Sequence, residues 1–252
     1  MRAGLIREAI SGLLLAVLLV SAARATPPGP DETPATATLH WEEGAPGCTF
    51  SRDDDGKYRY GLWTGDFGVV LAVDSQELEK VRRRAQPMFA VLLTMHYRGK
   101  DSADVASSKI TLEFVKHYHD VHTALDPDNL ATKEQNDADA LVEETAREIV
   151  KHPEKKEQKE ALLAARRRDA ADMIEFLKTR TLRRTTLDPS HPDASGWVLF
   201  STKSKWIEDL QKQEEFILRV PFGNRVIEFP FSLPPSEGDL ILRRRPENQV
   251  RP

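Results

Sequence analysis

Phe216, Leu218, Val220 and Phe222 occupy alternate positions, and so do Ile227, Phe229, Phe231 and Leu233 beyond Gly223-Asn224. A period of two places each set on one face of an extended strand. A Gly-Asn pair between two such runs suits a two-residue hairpin turn. The pattern predicts an antiparallel hairpin with one apolar face, and that face requires a second layer to cover it. Pro221 and Pro230 bring no N–H to a ladder, so the hairpin is expected at a sheet edge or with bulges.

Upstream, further short extended runs occur at 38–41, 48–52, 57–63, 67–73 and 87–97. Asp53-Asp54-Asp55-Gly56 between two of them is a second hairpin signal, because glycine tolerates positive φ. The run 67–73 is continuously apolar, as in a buried strand. Asp74 with Glu77 three residues on predicts a capped short helix, closed by Arg82, Arg83 and Arg84. From 110 to 119 the alternation predicts one long strand, with Ile110, Leu112, Phe114 and Tyr118 facing one way. Thr111, Glu113, His117 and His119 then face the other. A strand at 197–201 and a helical turn capped by Ser204, through Trp206 and Leu210, precede the last hairpin.

Residues 131–184 break this pattern. They lack glycine, carry Phe176 as their one aromatic, and are rich in Ala, Glu, Lys and Arg. Ala138, Leu141, Val142, Thr145 and Ile149 keep helical spacing, as do Leu163, Ala170, Ile174 and Leu177. Pro153 suits the start of a second helix. The segment 154–160 has no apolar position and is expected to project into water. Acidic residues exceed basic ones from Lys133 to His152, and basic exceed acidic from Pro153 to Arg184, which favours antiparallel pairing. Strands with one helical excursion and no βαβ alternation predict a mainly β fold with an α insertion. The expected architecture is an antiparallel Ig-like β-sandwich over 38–235, carrying a long charged helical hairpin at about 131–184. It resembles exported Ig-like domains that bind or scaffold.

The N-terminus reads as a leader. Arg2 and Arg7 precede an apolar run over 9–23, and Ala23-Arg24-Ala25 has the small-x-small pattern of a cleavage site, so residues 1–25 are expected to be removed. About 20 apolar residues are needed to span a bilayer, and this run is shorter. Residues 26–37 are a Pro-rich flexible linker, and 236–252 a C-terminal tail. A 30% charged fraction excludes a polytopic membrane protein, while 40% hydrophobic residues suffice for a core. The net charge of −4 argues against a nucleic-acid partner. The single Cys48 excludes a disulfide framework and is expected to be a small buried hydrophobe.

His117-Tyr118-His119-Asp120-Val121-His122 is the one cluster with chemistry. Two apart on a strand, His117 and His119 would point together, with His122 or Asp120 closing a site suited to Zn or Cu. The spacing departs from the metallo-β-lactamase signature, since Asp120 falls one place early and the α/β context is missing. The competing expectation is a solvated strand face without metal or other cofactor. Asp53-Asp54-Asp55-Gly56 lacks the closing acidic ligand of an EF-hand, since Leu62 falls at the twelfth place. Arginine triplets at 82–84, 166–168 and 243–245 would bind an anionic surface if they met. No Gly-x-Ser-x-Gly elbow, phosphate-binding glycine loop or His-Glu-x-x-His occurs. The expectation is an exported, non-enzymatic binding or assembly module whose partner is a protein or an envelope component. A metal-binding protein or metalloenzyme using His117, His119 and His122 is one alternative, and an anionic-surface binder using the arginine clusters the other.

Overall fold

The computed structural model describes residues 37–52, 57–74, 88–202 and 213–233. The leader, most of the linker, the tail, the Asp53-Asp54-Asp55-Gly56 turn and the expected helical segments after Asp74 and at Ser204 lie outside the described residues. Strands β2 (Cys48–Arg52), β3 (Lys57–Trp63), β4 (Phe67–Asp74) and β5 (Met88–Tyr97) form a meander, joined beside β5 by β10 (Asp193–Ser201). A second five-stranded sheet takes β1 (Ala37–His40), β12 (Arg225–Leu233), β11 (Glu214–Phe222), β7 (Thr111–Phe114) and β8 (Asp120–Thr123), in that order. β6 (Ala103–Val105) and β9 (Thr185–Leu187) pair separately.

The two large sheets share one core. Phe89 of β5 lies 4.8 Å from Phe216 of β11, Phe67 of β4 lies 4.7 Å from Phe222, and Tyr60 of β3 lies 5.8 Å from Phe231 of β12. All six rings are buried, each contributing about 1.5–3 kcal/mol by leaving water. The alternation read at 216–233 accounts for this, because both apolar sets of the hairpin face β3, β4 and β5.

The hairpin registers Phe222 on Arg225 across Gly223, whose φ of 58° with Asn224 following is the pattern of a type II′ turn. It does not lie wholly at an edge, because β11 is interior, between β12 and β7. Pro221 lies past the β7 ladder, which ends at Arg219, and Pro230 lies past the β1 ladder, which ends at Glu228. Each proline therefore falls where its outward edge carries no described partner. The ladders are antiparallel except β1 with β12, which is parallel, a departure from the expected all-antiparallel arrangement. The long strand expected from 110 to 119 also stops early, at Phe114.

The helical insertion is α1 (Pro127–Lys151) and α2 (Lys156–Thr179), joined by a 3-10 turn over Pro153–Lys155. It begins four residues before the expected 131, because Asp126-Pro127 starts it, and ends five before 184. The Asp126 carboxylate accepts N–H bonds from Asp128 and Asn129 at 2.9 and 3.0 Å, with Pro127 in the first turn. Ala131, Met173 and Leu177 pack with Met88, Ala90 and Leu199 on the outer side of the meander sheet. From 135 to 172 no residue is buried, so this part of the pair rests on its own seam. No helix among the described residues is long and apolar enough to cross a membrane.

Both roots of the helical pair close the free edge of β10. Leu125 N–H donates to Leu199 O at 2.8 Å before α1, and Leu182 N–H donates to Trp197 O at 2.9 Å after α2. The Arg183 fork then grips Asp128 at 2.7 and 2.9 Å. Gly196 permits the close approach, since a Cβ there would sit 2.4 Å from Leu182 N. Gly196→Ala is expected to destabilise the fold by about 1–3 kcal/mol. Gly65→Ala, where a Cβ meets nothing within 4 Å, should stay within about 0.5 kcal/mol of the parent in chemical denaturation.

Candidate functional site

Past Phe114 the chain makes two successive turns before β8. His117 N–H donates to Phe114 O at 3.1 Å, and Asp120 N–H donates to His117 O at 3.2 Å. The second turn has Tyr118 and His119 at its centre, at φ 61° and 57°. Left-handed backbone at a bulky residue costs about 1–3 kcal/mol. Tyr118 recovers none of this through burial, being 99% exposed. It is not on the apolar strand face that the alternation implied.

The start of this hairpin is clamped to the start of β11. Val115 N–H donates to Glu215 O at 3.0 Å, Lys116 donates to Gln213 O and pairs with Glu215 at 3.4 Å, and His117 Nε2 lies 3.3 Å from Glu214 Oε2. His119 turns back to place Nδ1 2.5 Å from Glu113 Oε1. His122 Nε2 lies 3.3 Å from Asp120 Oδ2, and its ring meets Phe114 edge-on at 5.3 Å. The three histidines are close in the chain, but each engages a different carboxylate. Among the described residues no group of three or more His, Cys, Asp or Glu is placed to hold a metal ion.

Glu113 is the centre of a charge row across the outer face of the second sheet. Arg219 Nη1 lies 2.6 Å from Glu113 Oε2, Arg219 Nε donates to Glu228 Oε1 at 2.7 Å, and His40 Nδ1 lies 3.5 Å from Glu228 Oε2. The order His40, Glu228, Arg219, Glu113, His119 alternates nitrogen-bearing side chains with carboxylates over β1, β12, β11, β7 and the turn. Arg219 and Glu228 stand opposite each other, equidistant from Gly223-Asn224. That spacing is the sequence signal for this row, and it belongs to no catalytic or metal motif.

An aromatic cleft of about 360 Å³ opens beside the same hairpin. Trp41, Phe50 and Tyr60 line one side, Phe216 and Phe231 the other, with Val115, Glu43 and Glu215 at its margin. Trp41 and Tyr60 meet edge to face at 5.1 Å, and Trp41 Nε1–H donates to Thr49 O at 3.1 Å. Burial, followed by Tyr58 and Glu43, pushes the Tyr60 phenol well above its ordinary range. The arrangement suits holding a ligand against rings, with carboxylates and hydroxyls at the margin.

The remaining sequence-derived candidates are dispersed. Cys48 is half-buried against the core beside β3. Arg166, Arg167 and Arg168 are exposed on α2, and the other two arginine triplets lie outside the described residues. His96 pairs with Asp193, His152 with Glu154 and His191 with Asp188. No protein-family pattern matches the chain, and neither the curated proteins nor the solved structures include a significant match.

The His119 imidazole, then Arg219, hold the Glu113 carboxyl below its ordinary value of 4.5 against the opposing effect of burial. A lowered carboxyl pKa gives stability that is present above 4.5 and lost as pH falls through the folded value. Glu113→Gln should therefore be less stable than the parent at neutral pH. Its stability should also fall less steeply on acidification below pH 4.5, measured by denaturation at successive pH values.

Proposed function

We propose that this chain is an exported, non-enzymatic module with an Ig-like sandwich architecture, acting by contact with another protein or an envelope component. The observation that carries the reading is Tyr118. A bulky ring is held fully in water by two consecutive left-handed residues, and the turn is clamped on one side by the Lys116–Glu215 ion pair and on the other by the His119–Glu113 contact. Strain maintained without local burial is a feature of ligand clamps and recognition turns. The adjoining aromatic cleft supports the reading, because aromatic side chains bearing one polar end dominate contact surfaces. The helical pair, rooted on β10 and unburied over 135–172, extends the area available for contact. Export rests on the leader pattern at residues 1–25.

A photo-crosslinking residue at position 118, in protein expressed in its own envelope, should give a discrete adduct that position 190 does not. Absence of an adduct together with turnover of a substrate would overturn the contact reading. Protein recovered from the envelope should begin at Thr26 by mass, and full-length chain kept in the cytosol would refute export. Tyr118→Gly relieves the left-handed strain, so it should gain about 1 kcal/mol of stability while the contact is lost. A variant that loses stability instead would show that the Tyr118 ring supports the fold.

A further inference from the structure

The outer face of the meander sheet carries a second feature, remote in sequence from the histidine hairpin. Trp63, Gly68, His96 and Asp193 fall at registered positions on β3, β4, β5 and β10, so they form one row across four strands. Gly68 leaves the place beside Trp63 empty, and the indole fills it. A Cβ on Gly68 would sit 2.2 Å from the indole Cε3. Gly61, two residues before Trp63 on the same strand and the same face, does likewise, with a Cβ only 2.9 Å from Nε1. The indole therefore lies down on two glycines instead of standing off the sheet. Its plane is 16° from that of His96, with centroids 5.8 Å apart, and Trp63 remains 37% exposed.

The next row of the same face carries hydroxyls. Thr94 and Ser195 stand opposite each other on β5 and β10, their hydroxyl oxygens 3.0 Å apart. His96 Nδ1 and Asp193 Oδ1 are 2.5 Å apart, both side chains open to water. The two rows thus present a flat apolar surface of about one ring's breadth, bordered by hydroxyls and one matched imidazole–carboxylate pair. That combination excludes most ligands. A lipid or apolar peptide would take the water from the open Asp193 carboxylate and return no hydrogen bond to it, at a cost of about 1–3 kcal/mol or more. A nucleotide would bring phosphate towards the Asp193 carboxylate on a chain of net charge −4. A pyranose offers an apolar C–H face for the indole and hydroxyls around its edge for the neighbouring donors and acceptors. The hydroxyls, imidazole and carboxylate around the indole can each exchange hydrogen bonds with the hydroxyls of a neutral sugar.

We infer that the Trp63–His96 platform on the outer face of β3–β5 and β10 is a binding site for a neutral saccharide, stacked on the indole and hydrogen-bonded through Thr94, Ser195 and Asp193. The site is separate from the contact surface at Tyr118, and its test does not depend on that reading. The test is affinity electrophoresis and saturation-transfer NMR of the full chain with neutral hexasaccharides (β-1,4-glucan, β-1,3-glucan, β-1,4-mannan and chitin types), with heparin as the anionic comparison. At least one neutral hexasaccharide should bind, with saturation transfer strongest at its ring C–H protons. Trp63→Ala should weaken this by about tenfold or more, Trp63→Phe should retain part of it, and Ser195→Ala should weaken it with the fold unchanged. Tyr118→Gly should leave it intact. Failure of every neutral hexasaccharide to bind, persistence of binding in Trp63→Ala, or tighter binding of heparin would each overturn the assignment. Circular dichroism of each variant separates loss of the site from loss of the fold. If Trp63→Ala does not fold, Ser195→Ala and Trp63→Phe decide the matter.

Discussion

Phe89 is the point at which the two sheets become one structure. Its ring lies 4.8 Å from Phe216, 6.1 Å from Phe114 and 6.4 Å from Phe231, so one residue of β5 touches β11, β7 and β12. Edge-to-face and tilted ring pairs add about 0.5–1.5 kcal/mol each beyond area burial. Cores are close-packed, so this contact also fixes the separation and rotation of the layers. Everything exposed takes its position from that layer. β5 holds His96 and Thr94 on its outer face because Phe89, Val91, Leu93 and Met95 fill the inner one. β7 holds Glu113 outward because Leu112 and Phe114 face in.

A two-layer β structure exposes strand edges, and some of the edges here are limited in distinct ways. β10 is closed by the roots of the helical pair, so the insertion protects the sheet as well as extending from it. β8 is short, with four residues, and Val121 is its exposed apolar side chain. β12 beyond the end of β1 carries Pro230, which cannot offer an N–H to an incoming strand. The helical pair is packed against the sheet only at its base. Met173 and Leu177 are buried there, whereas Leu162 and Val150 farther out are exposed.

Elements whose partners are close in sequence were legible, and those whose partners are distant were not. The 216–233 hairpin was readable down to its turn, because both faces and the glycine lie within one stretch. The helical seam was readable too. Ala138, Leu141, Val142, Thr145 and Ile149 are all sheltered, as are Leu163, Ala170, Ile174 and Leu177. The end of β7 was not, because a polar–apolar alternation continues through His117, Tyr118 and His119 while the backbone turns. A turn built on Tyr and His lacks the glycine or asparagine that marks such turns. The parallel pairing of β1 with β12 joins residues near opposite ends of the described chain, a register that no local pattern encodes. Trp63 looked like an ordinary strand residue, since only the register reveals that Gly68 and His96 lie beside it.

The strained turn and the charge row explain each other. Two left-handed residues would relax into an ordinary loop unless something held both ends. Val115 and Lys116 secure the incoming end to β11, and the short His119–Glu113 contact secures the outgoing end. Glu113 can serve as that anchor because Arg219 holds its other oxygen, and Arg219 is itself held by Glu228. The anchor is nearly buried, at 7% exposure, so removing one partner leaves a charge without compensation and the loss is felt along the row. Exposure of Tyr118 is thus an outcome of interactions reaching back through β7 and β11 to β12. Those strands are positioned in turn by the aromatic layer beneath them.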